Sequence, residues 1–224
     1  MRIQKYLSEQ GICSRREAED FIRRGLVRLN GKVVREMGVQ MDSAKDKVEV
    51  IGAAGAVKKR TLAFHKPRGM TTEEITGFLP EFKDLNAVGR LDKESEGLIL
   101  LSNDGPVTKA VTGRDHLVEK EYEVETQEDV TPGKIKKMEE GINLEDGLTM
   151  PAEAERLSAH SFRLILKEGR KHQIRRMADA LHLTVVALKR VRIGNIKLGN
   201  IPVAKYRELN AKEVGDLKKQ GFRN

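Results

Sequence analysis

V-G-R-L-D-K-E-S-E-G-L-I-L-L-S-N-D-G, running from Val88 to Gly105, decides how the rest of the chain is read. Asp92 lies in a polar loop between Arg90 and Lys93. Gly97 then opens an unbroken apolar run, Leu98-Ile99-Leu100-Leu101, which predicts a buried strand. Asn103-Asp104-Gly105 stops it with turn chemistry. A rigid strand thus holds one carboxylate on a loop flanked by two cations. Those cations favour the ionised form of Asp92 and are able to meet a phosphate. Taken alone, the stretch fits two readings: a nucleophile or base beside an anionic substrate, or a loop aspartate that caps a turn.

The 224 residues suffice for one large domain or a small one plus a medium one. Charged residues make up 34% and aromatics 4%, with no Trp, and the formal charge is +8. A soluble basic chain of this kind points to a polyanionic partner, nucleic acid first. Cys13 is the single cysteine, so no intrachain disulfide forms and a reducing cytoplasm is expected. No apolar run approaches membrane length and the first residues lack a signal-peptide core, so no membrane partner is expected.

The first 52 residues form a module of their own. Ile3, Tyr6 and Leu7 recur at helical spacing, with Gly11 as the stop. Ser14-Arg15-Arg16-Glu17 is a capping box, which predicts a second helix from Arg15 with Ala18, Phe21 and Ile22 inward and Gly25 at its end. Val27 to Leu29 alternates, Asn30-Gly31 is a tight hairpin turn, Lys32 to Val34 returns, and Val48 to Val50 is a further strand. Residues 1–35 carry nine cations against four acids. Arg15, Arg16, Arg23 and Arg24 recur about two helical turns apart and suit a phosphate backbone.

Residues 53–60, small and then basic, are expected to be a linker, and 61–224 a second domain. Leu62 to Phe64 begins a strand that ends in Lys66-Pro67-Arg68-Gly69, and Ile75 to Phe82 is a short helix and loop. Helices are predicted at 107–111, 131–141, 171–181 and from the Asn210 cap to about residue 220. Strands are predicted at 120–124, 162–166 and 185–193. Tyr122, in the alternating Lys120-Glu121-Tyr122-Glu123-Val124, either packs or offers its ring to an unstacked base. The five histidines have neither H-E-x-x-H spacing nor cysteine partners, and no dinucleotide fingerprint or G-x-S-x-G is present. No metal or cofactor is expected.

Three blocks, in order, resemble the pseudouridine synthases of ribosomal RNA that carry an S4 domain in front. They are G-R-L-D at Gly89–Asp92, K-x-Y-x-V at Lys120–Val124, and E-G-R-K-H-Q-I-R-R-M from Glu168 to Met177. S-R-R-E-A-E with L-N-G-K resembles the S4 module, and Lys66, Pro67 and Gly69 match the family's K-P-x-G turn. The resemblance implies an α+β protein: a small S4 RNA-binding domain, then a catalytic domain with a mixed or antiparallel sheet flanked by helices. It implies isomerisation of a uridine in a structured stem-loop, on the large-subunit RNA rather than the small, by a cytoplasmic monomer needing no cofactor. Asp92 would act in the chemistry by adding to the base, attacking the sugar or removing a sugar proton. Tyr122 would stack on the uracil. Arg175, rather than Arg176, would pair with Asp92, and Arg90 would help extrude the nucleotide. Lys66, Lys93, Lys120, Arg170 and Arg176 would join the four arginines of the first module as RNA contacts. The competing readings are a non-enzymatic S4-type assembly protein, which predicts nothing special at Asp92, and a nucleic-acid hydrolase, which needs metal carboxylates.

Overall fold

A computed structural model describes residues 1–10, 12, 13, 15–52, 58–113 and 118–221, with the Arg16 side chain excepted. The helix stop read at Gly11, the cap at Ser14, the phosphate role of Arg16 and most of the linker therefore lie outside the described residues.

The first module contains α1 (Ile3–Glu9), α2 (Arg15–Arg23) and the strands β1 (Val27–Leu29), β2 (Lys32–Val34) and β3 (Val48–Val50), in the order β2-β1-β3. Asn30 and Gly31 take φ of 50° and 79°, the positive pair that a twisted two-residue hairpin demands. Ile3, Leu7, Ala18, Ile22 and Val27 close a core made wholly within this module. Arg15, Arg23 and Arg24 are exposed on its surface, and Arg24 meets Asp20 at 3.3 Å.

The second part begins with β4 (Thr61–Lys66), α3 (Thr72–Phe78), a 3-10 turn at Pro80–Phe82, β5 (Asn86–Val88), β6 (Glu96–Ser102) and α4 (Gly105–Thr112). It continues through β7 (Lys120–Thr126), α5 (Pro132–Glu140), the hairpin β8 (Asn143–Leu144) and β9 (Gly147–Leu148), β10 (Glu153–Ser158) and β11 (Ser161–Leu166). α6 (Gln173–Asp179), β12 (Val185–Ile193), β13 (Ile196–Lys197), β14 (Tyr206–Glu208) and α7 (Ala211–Gly221) complete it. Among the described residues a nine-stranded sheet runs β10-β11-β7-β12-β6-β4-β14, with β13 on β12 and β5 on β6. Its pairs are antiparallel except β12 with β6, so the sheet is mixed, as expected.

β6 is buried on both faces, which is why its sequence is a continuous apolar run rather than an alternation. Leu98 and Leu100 pack with Val107, Val111 and Leu217 of α4 and α7. Ile99 and Leu101 pack on the other side with Ile75 and Phe82. Gly97 sits at φ 108°, and a Cβ there would fall 2.3 Å from the Arg190 carbonyl oxygen; glycine is required for β12 to lie alongside. A third core gathers Ile135 and Met138 of α5 with Ile174 and Met177 of α6 on the β7–β11 half.

Three helices differ from expectation, α4 by starting at Gly105 rather than Val107. α3 starts at Thr72 rather than Ile75, because Thr71 and Glu74 form a capping box. α6 is shorter than 171–181, since His172 before it and His182 after it both take left-handed backbone.

Candidate active site

Asp92 stands where β5 and β6 are joined, at the edge of a cavity of about 940 Å³. Its loop is fastened by its own backbone. Five consecutive carbonyls, from Arg90 to Glu94, each accept a hydrogen bond: from Arg190 Nη1 (3.3 Å), Thr72 Oγ1 (3.0 Å), the Ser95 amide (3.0 Å), the Gly69 amide (2.8 Å) and Arg175 Nη2 (3.2 Å). Thr72 Oγ1 also accepts from the Leu91 amide at 3.2 Å. A loop so tied presents its aspartate in one geometry, as a preorganised reacting group requires. Asp92 itself is part-exposed, and His172 Nδ1 lies 3.2 Å from its Oδ2.

Tyr122 lines the same cavity from β7, in register with Leu164 on one side and Arg190 on the other. None of the described residues hydrogen-bonds its hydroxyl, and the ring edge packs against two of the cores. Lys120, two residues earlier and on the same face, also lines the cavity. Burial, and secondarily the Arg190 charge, push its amine down to about 8. Arg190 is 4% exposed; its Nε donates to the Leu98 carbonyl at 2.7 Å, and its Nη2 is buried without a hydrogen-bond partner.

Several expected contacts are placed differently. Arg175 does not pair with Asp92: its guanidinium donates to the carbonyls of Glu94 (3.2 Å) and Val185 (3.4 Å), because the short α6 starts beside the loop backbone, and His172 occupies the carboxylate. Lys66, expected as an RNA contact, is turned inward. It is fully buried, and its Nζ donates to the carbonyls of Pro67 (2.9 Å), Met70 (2.7 Å) and Lys93 (3.4 Å), locking the K-P-x-G turn onto the Asp92 loop. Burial lowers its amine to about 8 despite the nearby Asp92. Arg170 is spent on the β8–β9 hairpin, donating to the carbonyls of Gly147 (2.9 Å) and Leu148 (2.6 Å). Arg176 holds the same hairpin through Asp146. Lys93 is exposed, and Arg90 is exposed with Glu73 at 2.9 Å.

Arg190 and His172 were missed in the sequence. Arg190 shares strand parity with Leu188, and that was its one signal for burial. His172 carried none, since neither its neighbours nor its spacing mark a left-handed residue.

Comparison with known proteins places this fold among RNA-modifying enzymes. The RNA pseudouridylate synthase family model matches residues 60–180, and the S4 domain model matches residues 1–40. The chain belongs to the RNA pseudouridylate synthase family, in the form preceded by an S4 domain, and is an isomerase. It is 37% identical to an RNA pseudouridine synthase of Aquifex aeolicus (strain VF5), over 98% of this chain and 97% of that one. It is 37% identical to the dual-specificity RNA pseudouridine synthase RluF of Escherichia coli (strain K12), over 97% of this chain and 78% of that one. The ribosomal large subunit pseudouridine synthase B of Bacillus subtilis (strain 168) is 33% identical, over 97% and 95% of the two chains. A crystal structure of a pseudouridylate synthase superposes with a TM-score of 0.72 at 30% identity, covering 97% of this chain and 99% of that one.

Proposed function

We propose that the chain converts one uridine of ribosomal RNA, in a structured stem-loop and on the large subunit in preference to the small, to pseudouridine, with Asp92 as the reacting carboxylate. The observation that carries this is the Asp92 loop: five consecutive carbonyls are bound, and of its two carboxylates it is Asp92 that lines a cavity shared with Tyr122 and Lys120. The uridine leaves its stack to enter the cavity. The N1–C1′ bond then breaks and a C5–C1′ bond forms; C5 loses its proton and N1 gains one, so no atom is added overall. Asp92 fits three roles in that balance: addition to the base, attack on the sugar carbon, or removal of a sugar proton. Tyr122 stacks on the uracil, and the enclosing walls keep the detached base from escaping. Arg90, exposed at the cavity wall, Lys93, exposed on the same loop, and the S4 arginines Arg15, Arg23 and Arg24 hold phosphates. The name of the Bacillus subtilis relative supports ribosomal RNA and its large subunit, and that of the Escherichia coli relative supports RNA as the substrate. The chain acts in the cytoplasm as a monomer, with residues 1–52 locating the enzyme and 61–224 performing the reaction.

The test is to map pseudouridine in ribosomal RNA from cells lacking the protein, complemented with wild type or Asp92→Asn. Wild type restores one modification and Asp92→Asn does not, while its RNA affinity stays within a few-fold. Substantial turnover by the Asn variant would remove Asp92 from the chemistry. Restoration of a small-subunit site alone would overturn the large-subunit preference.

A further inference from the structure

His172 is an odd residue for its place. It is the N-cap of α6, yet its side chain caps nothing, and its backbone is left-handed at φ 51°, ψ 28°. Histidine is not a favoured N-cap, and left-handed backbone is uncommon for any residue other than glycine, though less so for histidine, asparagine and aspartate. The turn is held there from outside: the Arg170 amide donates to Gln173 Oε1 at 3.0 Å, and the buried Gln173 donates its Nε2 to Glu168 Oε1 at 2.7 Å. A residue held in a sparsely populated conformation by its surroundings, at a cavity wall, is a sign of a job done by its side chain. The imidazole reaches the Asp92 carboxylate, 3.2 Å from Nδ1 to Oδ2. Three residues on, Arg175 grips the Glu94 carbonyl of the same loop.

We propose that His172 is a positioning residue for Asp92: the start of α6 clamps the loop at two points, Arg175 on its backbone and His172 on its carboxylate. The inference rests on the reading of Asp92 as the reacting group. His172 fixes which carboxylate oxygen faces the cavity, and the left-handed backbone is what swings its ring across to β6.

Three substitutions separate the side chain from the backbone. Asn tolerates left-handed backbone, and its Nδ2 falls about where Nδ1 of histidine lies. Gly tolerates the backbone but has no donor, and Ala has neither. Ribosomal RNA purified from cells lacking the protein is the substrate, with single-turnover pseudouridine formation, RNA affinity and thermal midpoint as readouts. His172→Gly and His172→Ala are expected to lose about ten-fold or more in rate with affinity nearly unchanged, as misplaced reacting groups do. His172→Asn is expected to recover most of that loss. The thermal midpoint is expected to follow a different order from the rate, Ala lowest, because Ala loses the carboxylate contact and is also the one least suited to left-handed backbone. A Gly variant as fast as wild type, or an Asn variant no faster than Gly, overturns the proposal. Asp92→Asn, run in parallel, keeps the two readings apart: if it turns over normally the Asp92 assignment fails, whereas if it is inactive and His172→Gly is not, only the His172 inference fails.

Discussion

Arg190, on β12, donates its Nη1 to the carbonyl of Arg90 at 3.3 Å, bridging residues one hundred apart in sequence. Its Nε holds the Leu98 carbonyl at 2.7 Å, just beyond the other end of the same loop. One planar fork thus sets the height of the Asp92 loop above the sheet. Lysine cannot replace it, because an ammonium lacks the fixed two-point geometry. Arg190→Lys is expected to fold and bind RNA while losing roughly 100-fold in single-turnover rate, the scale of an ångström-sized misplacement. A variant within two-fold of wild type would mean that the loop needs no support from β12.

Lys120 is expected to make RNA binding depend on alkaline pH. Its folded amine sits at about 8, below the ordinary lysine value, through burial first and Arg190 second. Charge useful for holding an anion is therefore lost as pH rises through about 8. The effect on stability has the opposite sign. Between about 8 and the ordinary lysine value the unfolded chain binds more protons than the folded one, so this group makes the fold more stable as pH rises. Lys66 shares that window, but its amine is sealed among carbonyls away from ligand. RNA affinity of the wild type should fall between pH 7 and pH 9, and Lys120→Gln should bind more weakly with a flatter profile. An unchanged profile in the variant would assign the titration elsewhere.

How far the sequence carried depended on which side of the sheet a residue faces. β6 and β12 were legible because short runs rich in Leu, Ile and Val, bounded by turn residues, belong in the interior of a sheet. β10, Glu-Ala-Glu-Arg-Leu-Ser, was not: it is a largely exposed edge strand held by its pairing to β11, a non-local cause absent from its own composition. The Asp92 loop was placed correctly from its turn residues and flanking strand. Its fastenings were not visible, because Thr72, Arg175 and Arg190 reach it from three different elements. The basic residues show the limit most clearly. Lys66, Arg170 and Arg176 carry positive charge that suits RNA, yet in this structure each also holds carbonyls or carboxylates of its own chain, a use that charge in the sequence does not show.

The first module closes its own core, from Ile3 to Val50, and touches the second part near Ser8 and Gly105. Deleting residues 1–52 should leave a soluble fragment that melts cooperatively. Its RNA binding should weaken, and its salt dependence should become shallower because phosphate contacts at Arg15, Arg23 and Arg24 are gone. A fragment that aggregates would show that the two parts share more of their packing than these contacts indicate.

Tyr122 lines the cavity with a hydroxyl that no described residue engages, and it stands on the same face of β7 as Lys120. If the ring is the stacking surface for the extruded uracil, its aromatic area matters more than its oxygen. Base–aromatic stacking is worth roughly 1–3 kcal/mol by alanine substitution. Since about 1.4 kcal/mol is a factor of ten in rate, Tyr122→Ala should cost from about five-fold to over a hundred-fold in turnover. Tyr122→Phe keeps the ring and should lose less, provided the hydroxyl moves no proton. The ring also packs against two cores, so the Ala variant will lose some stability, and thermal melts must accompany the kinetics. The ordering wild type, then Phe, then Ala at a temperature where all three are folded is the expected result. An Ala variant as active as wild type would leave Tyr122 as a packing residue.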